Sequence, residues 1–261
     1  MGNPVNLLAN IRVFATYPHD CSYLEGELAT TLFVDPATPI DTHIYSQLSS
    51  IGFRRSGPHL YRPHCGSCTA CIPARVPVAD FRPDRNQRRV LARNTDIEAH
   101  TVTSIDSDTH FRLYSRYIQA RHSDGDMHPP DRAQYEAFLT SEWDCTSFVE
   151  FHGAGRLLAV TVLDRLDNGL SAIYTYYDPA EHRRSLGSYV ILWQIARARQ
   201  LGLAAVYLGY WIRNCRKMSY KTRFRPIELL VDGQWIHVEQ DQRRALSRGD
   251  AQFGRFASTP R

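Results

Sequence analysis

Between Leu170 and Gly209 the chain leaves itself little topological choice. An apolar strand at 170–177 is followed by a polar loop at 178–185 and an amphipathic helix at about 186–201. Gly202 ends that helix, and a second buried strand at 204–209 follows directly. Strand, helix, strand at this spacing implies a parallel crossover. Two strands precede it, 145–152 and 156–163, joined by the turn Gly153-Ala-Gly155, and Asp167-Asn-Gly169 leads into the third. Asn-Gly is the chemistry of a tight hairpin, so the three strands form an antiparallel meander.

The remaining elements frame this core. A strand at 97–102 precedes a helix capped by Asp106 or Ser107 and running to Arg121, with Tyr114, Tyr117, Ile118 and Arg121 on one face. A loop at 122–130 leads to a second helix at 131–140. Near the C-terminus, 227–231 and 235–238 flank Asp232-Gly233 as a hairpin, and the tail beyond Asp241 is polar and is expected to be loosely held. Before Asn94 the chain is rich in Pro, Cys and Arg. Here a strand is expected at 30–35, a helix at 41–51 with Ile44, Leu48 and Ile51 on one face, a strand at 74–79, and a helix opened by Asp84 with Gln87 as an Asp-type capping box. The expected class is α+β: a small Cys-containing N-terminal domain, 1–94, and a second domain, 95–261.

Composition, with 43% hydrophobic and 22% charged residues in 261, is that of a globular chain able to bury a core. No apolar run reaches membrane-spanning length, and Met1 to Asn6 resembles neither a signal peptide nor a myristoylation site, so a soluble cytoplasmic protein is expected. A net charge of +4 announces no nucleic-acid partner by itself, but the charge is clustered. Arg82, Arg85, Arg88, Arg89 and Arg93 share one short run. From Gly209 to Ile227 there are six cations and no carboxylate, interleaved with Tyr210, Trp211, Tyr220 and Phe224 as phosphate and base contacts require. A solvated basic face is the competing explanation for the first run. The only two lysines, Lys217 and Lys221, both fall in the second run, where a compact ammonium replaces the guanidinium used everywhere else.

Cys65, Cys68 and Cys71 form Cys-x-x-Cys-x-x-Cys, with Cys21 upstream. Four such thiolates suit a zinc ion or an iron-sulfur cluster, with His19 and His64 as substitute ligands; buried free thiols are the alternative. Cys145 reads as a core residue.

The order from residue 97 onward resembles the GNAT acyltransferase fold, in which two central strands splay apart beside a helix N-terminus that receives a pyrophosphate. That resemblance places the splay between 170–177 and 204–209 and an anion site at Arg183, Arg184 and the helix start. The acetyl-CoA fingerprint of that fold is matched only at Arg184 and Gly187, because Tyr189 occupies its second glycine position.

Longer motifs resemble one family over nearly the whole chain: Pro18 to Leu24, Gly52 to Gly57, Tyr61 to Val76, Phe81 to Asn94, Tyr174 to Asp178, Ser185 to Tyr189, Tyr207 to Ile212, and Lys217 to Lys221. These resemble the aminoacyl-tRNA protein transferases of the N-degron pathway. The wording of 207–221 is similar to the bacterial branch, which implies transfer of leucine from leucyl-tRNA to proteins beginning with Asp or Glu. The eukaryotic relatives transfer arginine and carry a second N-terminal cysteine where this chain has Leu24.

An aminoacyl-tRNA ester is already activated, and an α-amine with pKa near 8 is neutral to the extent of roughly a tenth at pH 7. Alignment, proton removal and oxyanion stabilisation suffice, with no cofactor required and no covalent nucleophile. The residues expected to carry this are Asp178, Tyr176 or Tyr210 as proton relay, and Lys217 and Lys221 with Arg213, Arg216 and Tyr220 at the acceptor's acidic side chain or the tRNA 3′ end. Arg54, Arg55, Arg85, Arg88 and Arg89 would meet the tRNA backbone. Competing functions are arginyl transfer, N-acetylation from acetyl-CoA and non-catalytic RNA binding.

Overall fold

The computed structural model describes residues 11–140 and 143–238. Its strands are β1 (Val13–Ala15), β2 (His19–Asp20), β3 (Leu28–Ala29), β4 (Thr31–Val34), β5 (Arg54–Ser56), β6 (His59–Pro63), β7 (Ile72–Pro77), β8 (Glu98–Val102), β9 (Thr146–Gly153), β10 (Arg156–Arg165), β11 (Gly169–Tyr177), β12 (Ala205–Trp211), β13 (Ile227–Val231) and β14 (Gln234–Val238). The α-helices are α1 (Thr42–Ser50), α2 (Arg85–Arg93), α3 (Asp108–Arg121), α4 (Arg132–Leu139) and α5 (Leu186–Gln200). Short 3-10 turns cover Pro179–Arg184 and Ser219–Arg223. The expectations for the N-terminal residues and the tail beyond Asp241 lie outside the described residues.

One eight-stranded sheet, in the order β14-β13-β7-β12-β11-β10-β9-β8, organises the molecule. β9, β10 and β11 form the expected meander, and β11 and β12 run parallel across the α5 crossover. The α5 residues Val190, Leu192 and Ile195 pack with Val206 and Leu163 in one core. Tyr114, Ile118, Tyr135 and Leu139 of α3 and α4 pack with Phe148, Val162 and Tyr176 in a second. Removing each such side chain from water contributes roughly 1.5–3 kcal/mol, which fixes the helices on the sheet more firmly than helix propensity does.

β7 comes from the N-terminal half, yet it lies inside this sheet, antiparallel to both β12 and β13. Tyr210 and Trp211 pair with Pro73 and Ile72, which carries β12 two residues past its expected end at Gly209. A separate four-stranded sheet, β1-β4-β6-β5, lies N-terminal to it in sequence, with α1 between β4 and β5. The caps follow local chemistry: Asp41, Asp84, Ser107 and Asp131 each accept from a first-turn N–H, and Asp84 with Gln87 completes the capping box. No helix among the described residues is long and apolar enough to cross a membrane.

Candidate active site

β11 and β12 pair over only three positions, Gly169 to Ser171 against Ala205 to Tyr207, and then part. Both strands break register at that point. Val162 of β10 faces Tyr174 while Leu163 faces Ala172, so Ile173 is an extra residue in β11. β12 slips against β7 between Tyr207 and Tyr210, where Gly209 takes φ +78°. Bulges bend strands, and here two of them open one gap.

Lys221 reaches this place from the 3-10 turn. It is 5% exposed, donates to the main-chain carbonyl of Tyr210, and lies 3.2 Å from the sulfur of Met218. Gly209 supplies the left-handed backbone of the bend, and a Cβ there would stand 3.6 Å from the Nζ, an ordinary van der Waals contact. Burial, reinforced by the charge of Arg54, pushes the lysine down to about 7, against an opposing pull from Cys215 and Cys71. Lys221 can therefore hold or release a proton near neutrality.

Nearby, a cleft of about 600 Å³ opens between the starts of α2 and α5 and the segment 220–225. Arg82, Arg223, Ser185, Ser188 and Asn86 line it, with Tyr220 and Phe224 as aromatic wall. Gln87 donates to the Arg223 carbonyl and ties α2 to the basic segment. At the start of α5, Ser185 is left-handed and makes no side-chain cap, which leaves the positive end of that helix uncapped by its own serine. Gly187 lies against the Tyr177 ring, where a Cβ would come within 3.1 Å, and Tyr189 turns inward to meet Phe151. A groove with basic, aromatic and helix-terminal walls is suited to a phosphate-linked nucleotide end.

Several sequence expectations need correction. Arg54 and Arg55 do not face RNA: both are buried, 4% exposed. Arg55 makes a bidentate pair with Asp164 through Nε (2.6 Å) and Nη2 (2.8 Å), and Asp164 also accepts from Tyr45 and Thr146. Tyr176 is sealed in the core with its hydroxyl 2.8 Å from that of Tyr135, and Tyr210 donates to the Gly52 and Tyr61 carbonyls. Burial drives both phenols far up, and each hydroxyl is already engaged inside the protein. Arg184 is not a free anion receptor, because Asp96 holds it at 2.7 and 2.8 Å and Glu181 at 3.3 Å. Lys217 pairs with Asp124 at 2.8 Å.

The other residues fall as follows. Asp178 caps the turn after β11 by accepting from Ala180 and lies 3.4 Å from Arg116. Arg183 is exposed, and its carbonyl accepts from Arg93. Arg85, Arg88, Arg89 and Arg216 are exposed, Arg213 is half-buried, and Tyr220 is 39% exposed beside the cleft. Sequence reasoning missed Ser185, Ser188 and Arg223 as cleft residues; the two helix starts flanking the basic runs were the available signal.

Cys21, Cys65, Cys68 and Cys71 are free thiols, half-buried, and Cys215 is buried. Burial and the charge of the other four push Cys71 up to about 12. Yet among the described residues no three His, Cys, Asp or Glu side chains converge as ligands of one metal ion. No chemistry is routed through a metal.

Comparison with known proteins identifies the family. Residues 19–89 match the profile of the arginine-tRNA-protein transferase N terminus, and 109–231 that of its C terminus. Over 229 residues the chain is 58% identical to proteins named aspartate/glutamate leucyltransferase from Pseudomonas fluorescens (strain Pf0-1) and Pseudomonas aeruginosa (strain LESB58), covering 88% of this chain and 97% of each relative. A solved structure of FemX overlaps loosely, with a TM-score of 0.41 at 9% identity, covering 77% of this chain and 80% of that one. The chain belongs to the arginine-tRNA-protein transferase family.

Proposed function

We propose that the protein transfers leucine from leucyl-tRNA to the α-amine of proteins beginning with Asp or Glu, marking them for degradation. Relatives at 58% identity bearing the leucyltransferase name support this donor and these acceptors. The observation that carries the mechanism is the buried Lys221 at the mouth of the β11–β12 gap, with a basic cleft alongside.

In this reading the tRNA 3′ end lies in the cleft, with Tyr220 against a base and Arg82, Arg213, Arg216 and Arg223 near phosphates. Arg85, Arg88 and Arg89 meet the acceptor stem. The neutral α-amine attacks the ester carbonyl; the new amide bond forms as the bond to the ribose oxygen breaks. Lys221 takes the proton the amine loses and returns it to the departing ribose oxygen, work worth about 10²–10⁴-fold for a positioned side chain. Strand edges that no longer pair with each other beyond Ser171 and Tyr207 offer backbone donors to the oxyanion. Lys217, paired with Asp124, and Asp178, capping its turn, hold the loops around the site.

The test offers leucyl-tRNA, arginyl-tRNA and acetyl-CoA to peptides starting with Asp, Glu or Ala. Leucine on Asp and Glu peptides alone is expected. Arginine transfer, acetylation, or tRNA binding without transfer would each replace this reading with another.

A further inference from the structure

Arg54 and Arg55 are neighbours in β5, both buried, and they meet opposite fates. The Nε/Nη2 edge of Arg55 grips Asp164. The same edge of Arg54 is buried with no hydrogen-bond partner at either nitrogen, while its Nη1 donates to the Ser49 and Phe53 carbonyls. The Arg54 guanidinium lies over Tyr207 and Tyr210, 5.1 and 5.9 Å from the ring centres. A buried guanidinium needs an anion; left unpaired, it costs several kcal/mol. Lys221, bonded to the carbonyl of that same Tyr210, forms no ion pair with a carboxylate among the described residues and supplies no counter-charge. Two buried cations converge on one tyrosine, and one of them presents the edge that binds a carboxylate side-on.

We propose that the Nε/Nη2 edge of Arg54 receives the side-chain carboxylate of the acceptor's first residue and so determines the specificity for Asp and Glu. This rests on the leucyl-transfer reading and deepens it. In an N-terminal Asp or Glu the carboxylate and the α-amine are a few ångströms apart, a span set by one or two methylenes. A carboxylate on Arg54 therefore brings the amine to neighbouring Lys221, whose charge state Arg54 already influences. Tyr61 lies beside Arg54, and Tyr23, 43% exposed, lies beside Tyr61. Tyr23 stands in the motif Pro18 to Leu24, which thereby gains a role as the rim of the acceptor pocket.

The experiment compares kcat/KM for peptides starting with Asp and with Asn, equal in shape and different in charge, in the unaltered protein and in Arg54→Met. The substitution should cut transfer to the Asp peptide on the order of 100-fold, leave the Asn peptide within about threefold, and leave tRNA affinity unchanged. An Asp/Asn ratio as high as that of the unaltered protein, or an equal loss on both peptides, overturns the proposal. Should Arg54→Met not fold, the arginine Nε–H resonances of the unaltered protein decide, with Arg54→Lys identifying the signal. The Arg54 signal must shift on adding the Asp peptide and not the Asn peptide; no shift overturns the proposal. If the unaltered protein transfers leucine to neither peptide, the leucyl-transfer reading falls; if it transfers to Asp and Glu while Arg54→Met keeps the preference, only the assignment to Arg54 falls.

Discussion

The ammonium of Lys221 packs against Gly209 and donates to the carbonyl of Tyr210, so one lysine is held by the backbone bend that opens the gap between the central strands. Gly209→Ala tests that coupling. Its φ of +78° is a left-handed conformation that costs an L-residue about 1–2 kcal/mol. The added methyl meets the Nζ at an ordinary van der Waals distance, so the loss should be confined to the backbone strain. Chemical denaturation should show destabilisation of about that size, and an unchanged midpoint would refute the strained bend.

The lowered pKa of Lys221 makes stability depend on pH in a definite direction. Its folded value is about 7, and unfolding returns it to the ordinary lysine value of 10.5. Between these the unfolded state binds more proton than the folded state, so this residue's contribution to stability rises with pH across the window. Lys221→Met should stabilise the protein at pH 7 and flatten the rise between pH 7 and 10. A difference between the two proteins that is constant over that range would contradict the burial of the ammonium.

Asp164 and Arg55, both with fully buried side chains, link β10 to the N-terminal β5. Asp164→Ala leaves a buried guanidinium unpaired and also strands the hydroxyls of Tyr45 and Thr146. Urea unfolding should record a loss of about 3–5 kcal/mol. A loss under about 1 kcal/mol would show that the pair is solvated in solution.

Arg85, Arg88 and Arg89 remain exposed on α2, as RNA-facing residues must. Converting them to glutamine should weaken tRNA binding and reduce the salt slope of log K by up to about 0.7–0.9 for each phosphate that is no longer neutralised. An unaltered slope would remove α2 from the interface.

The architecture was legible wherever local chemistry acts alone. The Asp84–Gln87 capping box, the Ser107 cap, the Asp167-Asn-Gly169 turn and the α5 crossover all follow from spacing within one segment. β7 was hidden as a sheet partner because antiparallel pairing of Ile72 to Pro77 with both β12 and β13 depends on hydrogen bonds between distant segments. The composition changes near Asn94, but the hydrogen bonding of the sheet continues across that point. For the site, the charge run 209–227 drew attention to the segment that carries Lys221, but the sequence expectation set that lysine at the acceptor's acidic side chain or the tRNA 3′ end and gave the proton relay to Asp178, Tyr176 or Tyr210. Charge alone could not separate Arg54 and Arg55, buried beside aromatic rings and Asp164, from Arg85 and Arg88 in solvent. Tyr176 and Tyr210 looked reactive for the same reason, since nothing in a strand pattern shows where a hydroxyl ends.

The central claim is that Lys221 moves the amine proton as leucine passes from tRNA to an acidic N-terminus. Its most direct test is single-turnover transfer of labelled leucine from leucyl-tRNA to an Asp-starting peptide by the unaltered protein and by Lys221→Met, with tRNA affinity measured in parallel. Equal tRNA affinity with transfer slowed about 100-fold or more in the variant is the predicted result. Transfer by Lys221→Met at the unaltered rate, or none by the unaltered protein, would contradict it.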